Sequence, residues 1–126
     1  MTDEQTQVFD ALVLAFEEGR ALPVAERWRP LEAAHVLGQS RLSLHWRSHV
    51  LMLRFALELR DWPEALGQAL RLALVPPGHL LGRLPAGNIG RATVHALRPM
   101  APQPELEALL GEARRSVRDR QRGVSA

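Results

Sequence analysis

Five histidines and no cysteine set the chemistry open to this 126-residue chain. Without a thiol there is no disulfide, no thiolate metal ligand and no cysteine nucleophile; imidazole, carboxylate and thioether groups remain. His45-x-x-x-His49 puts two imidazoles one turn apart on a single helix face, a spacing that suits a shared cation. Glu32-x-x-His35 puts a carboxylate and an imidazole on adjacent edges of the helix before it. Gly38-Gln39 reads as the turn between the two helices, which makes them an antiparallel hairpin. At about 1.5 Å of rise per residue, His35 lies about 4.5 Å from the turn, His45 about 7.5 Å, Glu32 about 9 Å and His49 about 13.5 Å. These heights overlap within side-chain reach. Glu32, His35, His45 and His49 are therefore expected to converge, and such a donor set suits zinc, copper, nickel or iron. Met52, one turn beyond His49, would add a soft ligand if the ion were copper. Glu32-x-x-His35 also matches half of a di-iron carboxylate site, but the chain has no second Glu-x-x-His. The same residues also read, and more simply, as a hydrogen-bonded cluster inside a core, with Met52 as filler. His79 and His95 fall in loop-like sequence and read as solvated.

The elements that must carry these groups are helical. Val8, Phe9, Leu12, Val13 and Phe16 recur at helical spacing after Thr2-x-x-Gln5, which resembles a capping box, and Gly19 ends that helix. Pro23 opens a second helix with Val24, Trp28, Leu31 and His35 in one stripe, and Pro30 is expected to kink or split it. Ser40 reads as the cap of a third helix running to about Arg60. Its apolar face carries His45, His49, Met52 and Ala56, flanked by Leu42, Leu53 and Leu59; Arg47, Arg54 and Glu58 lie opposite. Asp61-Trp62-Pro63-Glu64 starts a fourth helix with Leu66, Leu70 and Ala73 as its buried stripe, which Pro76-Pro77-Gly78 should stop. Residues 76–103 read as a long Gly/Pro-rich loop with short helical turns, and Gly87-Asn88-Ile89-Gly90 needs tight turns with positive φ. Pro104 opens a last helix with Leu106, Leu109, Leu110 and Ala113 inward. No segment alternates with a period of two. The expected fold is all-α: a compact bundle of about five helices, made of two antiparallel hairpins, the Gly/Pro-rich loop and a C-terminal helix. Residues 1–113 read as one helical domain and 114–126 as a basic, partly disordered tail.

Charge narrows the function classes. All 16 basic residues are arginine, so the isoelectric point near 10.8 overstates a net charge of only +2. The tail holds five arginines against one aspartate, whereas residues 1–113 hold 11 arginines against 13 acids. Without interleaved aromatics and with an acidic body, the tail reads as a solvated helix end and nucleic acid is not the expected partner. An acidic start and apolar runs far shorter than the ~20 residues of a membrane span point to a cytoplasmic protein. Asn88-x-Gly90 is followed by no Gly-Lys-Ser/Thr, so it is not a P-loop. Ser40, Ser43 and Ser48 read as helix-cap or helix-surface residues, and no catalytic triad assembles from the spacing.

The run Leu31-Glu32-Ala33-Ala34-His35-Val36-Leu37-Gly38-Gln39, then His45-x-x-x-His49 with Met52-Leu53, resembles a bacterial family of short proteins of unknown function. Leu66-Gly67-Gln68, Pro85-Ala86-Gly87-Asn88-x-Gly90 and Arg98-Pro99-Met100 extend the resemblance across residues 20–110. It implies that Glu32, His35, Gln39, His45, His49, Asn88 and Gly90 form the family's pattern, and it associates such proteins with metal resistance. Pro30 departs from that pattern.

Two leading function classes follow, with a third behind them. One is a non-catalytic protein that binds a transition-metal ion through Glu32, His35, His45 and His49. The other is a helical-repeat-like interaction module, a homodimer or a protein's partner, in which these residues are a buried polar network. A small metalloenzyme, with His45 or His49 as general base, is a third.

Overall fold

The computed structural model describes residues 3–81, 88–93, 100 and 103–123. His95 and the Pro85–Gly87 part of the glycine-asparagine motif lie outside them.

Five helices account for the described chain: α1 (Glu4–Glu18), α2 (Val24–Gly38), α3 (Leu42–Glu58), α4 (Trp62–Leu81) and α5 (Pro104–Gln121). No strand occurs among the described residues, and the fold is all-α as expected. Local chemistry sets each boundary. Asp3 caps α1 by accepting from the Thr6 N–H at 2.8 Å, one residue after the Thr2 that the sequence suggested. No side chain caps α3, which starts at Leu42 after Arg41 rather than at Ser40. It ends in a Schellman turn, with the Arg60 N–H donating to the Leu57 carbonyl and the Asp61 N–H to the Ala56 carbonyl. Arg60 takes the left-handed position, φ 56°, that glycine usually fills. Asp61 then caps α4 through the Glu64 N–H.

Prolines mislead twice. Pro30 lies inside an uninterrupted α2, where it forgoes a single backbone bond, to the Glu26 carbonyl. Pro76 and Pro77 do not stop α4, which runs on to Leu81; proline's fixed φ is itself helical. That continuation carries His79 on a helix instead of in a loop. The last helix likewise continues past residue 113 and buries Val117.

α2 is central, packing against α1, α3 and α5, while α4 packs on α3. Val8, Phe9 and Leu12 of α1 meet Ala33 and Ala34 of α2 and Leu106, Leu110, Ala113 and Val117 of α5. A second apolar cluster joins Trp28 and Leu31 of α2 to Met52, Phe55 and Ala56 of α3 and Ala65 of α4. Each fully buried large side chain here stabilises the fold by roughly 1.5–3 kcal/mol. Trp46, on the same helix as the buried Phe55, is 42% exposed.

α4 inverts its expected face. Leu66 and Leu70 are 65% and 59% exposed, whereas Glu64, Ala65, Gln68 and Val75 are buried. A helix normally buries its apolar stripe. Here the polar face turns inward because His45 and His49 on α3 and the Gly90–Ala92 segment give it hydrogen-bond partners.

Candidate metal centre

His35 comes from the last turn of α2, and His45 and His49 from the first half of α3. The short connection from Gly38 to Leu42 brings these stretches together, as the hairpin reasoning expected. All three rings are buried, at 3%, 6% and 2% exposure. One nitrogen from each lies within 4.8 Å of the others. His45 Nε2 is 3.0 Å from His35 Nε2 and 3.2 Å from His49 Nε2. Tetrahedral zinc with Zn–N of about 2.0–2.1 Å separates its ligand nitrogens by about 3.3–3.4 Å, so these contacts are close to a ligand edge.

The partners of the Nδ1 atoms decide what the Nε2 atoms can do. His35 Nδ1 lies 2.6 Å from the Asn88 carbonyl, which only accepts, so this nitrogen holds the proton and Nε2 is bare in the neutral ring. His49 Nδ1 lies 2.7 Å from Gln68 Oε1. The Gln68 amide cannot flip, because its Nε2 donates to the Glu64 carboxylate at 2.8 Å and to the Gly90 carbonyl at 3.0 Å. His49 therefore also carries its proton on Nδ1 and presents a bare Nε2. His45 Nδ1 contacts a fourth imidazole, His79 Nε2, at 3.0 Å. The three converging Nε2 atoms thus share one proton at most while all rings are neutral.

The rings are neutral at physiological pH. Burial, then the charges of His49 and His45, holds His35 well below the usual 6.5. Burial, then His49 and His79, brings His45 down to about 3. Burial lowers His49 to about 4, although the bond to Gln68 opposes the shift. Neutral imidazole is the form that ligates a metal.

Glu32 stands apart. Its buried carboxylate pairs with Arg29 Nη1 at 3.2 Å and Arg91 Nη1 at 3.4 Å, and it is not in the group whose ligand atoms converge. Met52 packs among Trp28, Leu31 and Phe55. The hairpin heights place Glu32 correctly along the axis, but two guanidinium groups compete for it.

What positions the triad is the segment Asn88–Ala92. The Asn88 side chain accepts from the Gly90 N–H at 2.8 Å, and the same residue's carbonyl orients His35. Gly90, at φ +83°, lies so close to the His35 ring that a Cβ there would sit 2.6 Å from Cδ2. Arg91 donates to Glu64 at 2.7 Å and stacks 3.8 Å from the Trp28 ring centroid. The Ala92 N–H donates to Glu64 at 2.7 Å. Gly67 is where this segment crosses α4: a Cβ there would collide with Ala92. Burial alone would raise the Glu64 pKa, but the Ala92, Gln68 and Arg91 donors outweigh it and hold it below its usual value. Sequence reasoning assigned Glu64 to a helix start and missed Arg91 and His79. The available signal was Glu64-x-x-x-Gln68, two polar groups one turn apart opposite the α4 leucines.

The fold and site define a five-helix bundle with a buried triad of neutral imidazoles, two of them fixed in tautomer by acceptors behind them. The chain belongs to the family described as "Protein of unknown function (DUF3703)", whose model matches residues 3–110. No curated protein and no solved structure matches it.

Proposed function

We propose that this protein binds a transition-metal ion of the zinc, copper, nickel or iron class, with His35, His45 and His49 as ligands through Nε2, and serves metal homeostasis or resistance. One observation carries the reading: three buried Nε2 atoms converge with at most one proton among them, and two are kept bare by acceptor-only partners. Ligand histidines are commonly held in this way by the group behind the other nitrogen. Glu32 enters as a supporting charge, tied to the site through Arg91 and Glu64.

The test is elemental analysis of tag-free protein after incubation with zinc, copper, nickel and iron salts, beside His45→Ala/His49→Ala. Near-stoichiometric metal in the wild type, lost in the variant, supports the site. No metal in either overturns it.

The interaction-module reading has one observation in its favour, the exposed row Trp62, Leu66, Leu70 and Leu74 on α4. It predicts pairing with a second copy, visible as a mass that rises with concentration in light scattering and is indifferent to chelator.

A further inference from the structure

The hydrogen-bond partners of the three ligand candidates are not equivalent. A main-chain carbonyl faces His35 Nδ1 and a locked amide oxygen faces His49 Nδ1, and both only accept. His45 Nδ1 alone among the three faces a group that can either donate or accept, the Nε2 of His79. His79 is on the last turn of α4 and half-buried, while the triad is sealed. Two arrangements satisfy the His45–His79 contact. In the closed one, His45 carries its proton on Nε2 and donates into the His35 and His49 lone pairs, and its Nδ1 accepts from His79 Nε2–H. In the open one, His45 Nδ1–H donates to His79 Nε2, and all three triad nitrogens are bare.

Resting on the metal reading above, we propose that His79 is a positioning residue that sets the tautomer of His45 and so opens or closes the triad to a cation. Passage from closed to open conserves charge. The proton on His45 Nε2 leaves to water, His79 Nε2–H passes its proton to His45 Nδ1, and His79 takes one from water on its other nitrogen. The protein therefore keeps its empty site internally hydrogen-bonded and exposes three lone pairs only when an ion takes the place of the inner proton.

Long-range proton–nitrogen NMR of the ¹⁵N-labelled chain distinguishes the imidazole tautomers. In metal-free wild type, His35 and His49 should be protonated on Nδ1 and His45 on Nε2; zinc chloride should move His45 to Nδ1. His79→Glu supplies a carboxylate that only accepts, so His45 should be on Nδ1 even without metal, and zinc should bind at least as tightly as to wild type. His79→Leu removes the acceptor, so His45 should stay on Nε2 and zinc affinity should fall about 10–100-fold. Metal-free wild type already on Nδ1 at His45, or His45 unmoved in His79→Glu, would overturn the proposal. Undiminished zinc affinity in His79→Leu would overturn it as well. The metal-free spectra stand without zinc, so failure of wild type to bind the ion, with the tautomers as stated, overturns the metal reading and leaves the His79–His45 coupling in place.

Discussion

Acid should destabilise the metal-free protein in a window set by its histidines. His45 and His49 titrate at about 3 and about 4 in the fold, against 6.5 for an ordinary imidazole. A group whose folded value is depressed leaves the unfolded state holding more protons, so stability falls as pH drops below 6.5 and continues to fall until the folded values are reached. Well below 6.5 each pH unit is worth about 1.4 kcal/mol per group, and less near 6.5 itself, so moving from pH 6.5 to 5 removes about 1.5–2 kcal/mol for each of these two rings, or about 3 kcal/mol together. His35, lowered well below its usual value by burial, adds to the same loss. Domains of this size are stable by about 5–15 kcal/mol, so the effect is a large fraction of the whole. Glu64 and Asp3 are lowered from carboxylate values of 4.5 and 3.8; the stability they contribute is lost only at lower pH, outside this window. The assay is guanidinium unfolding at pH 8, 6.5 and 5 with chelator present, for wild type and His49→Leu. The loss between pH 6.5 and 5 should be about 1.5–2 kcal/mol smaller in the variant. Equal wild-type stability at pH 6.5 and 5 would refute the reasoning, because it would mean that the rings protonate in place.

Gly90→Ala should destabilise by about 1–3 kcal/mol, since it forces a side chain into positive φ, and should weaken metal binding by displacing the His35 ring; unfolding and titration with zinc read the two effects. Glu64→Gln takes the charge from the acceptor that holds Gln68, Ala92 and Arg91, and zinc affinity should fall about 10–100-fold with the ligands intact. Trp28→Ala should cost about 3–5 kcal/mol in chemical denaturation, whereas Trp46→Ala, on an exposed ring, should stay within about 0.5 kcal/mol. Leu66→Gln/Leu70→Gln should leave the denaturation midpoint nearly unchanged; a loss of the size expected for core leucines would show that the outer face of α4 is covered.

The histidines were legible in the sequence because their spacing coincides with helix geometry. His45 and His49 fall one turn apart on the apolar face of α3, and the Gly38 turn fixes where α2 returns. The same arithmetic placed Glu32 within reach but could not see Arg91, which arrives from 59 residues further along the chain. Capping was legible at Asp61, was displaced by one residue at Asp3, and was not legible at α3, where no side chain acts. Proline rules failed at Pro30, Pro76 and Pro77, because a lost backbone bond is a modest penalty beside the packing of a whole helix.

The reading of α4 failed for a more general reason. Periodicity identifies the face on which apolar residues collect, and burial follows that face only when the alternative face has nothing to bind. On α4 the alternative face holds Glu64, Gln68 and His79, and each finds a partner inside: Arg91 and the Ala92 N–H, His49 and the Gly90 carbonyl, and His45. Buried polar groups are tolerated when every one is satisfied. The outer members of this network bond to one another, and at its centre three Nε2 atoms meet with at most one proton among them while the rings are neutral. Hydrogen bonding alone accounts for the inverted helix; a cation in place of the one central proton is the further step that the proposed metal site takes.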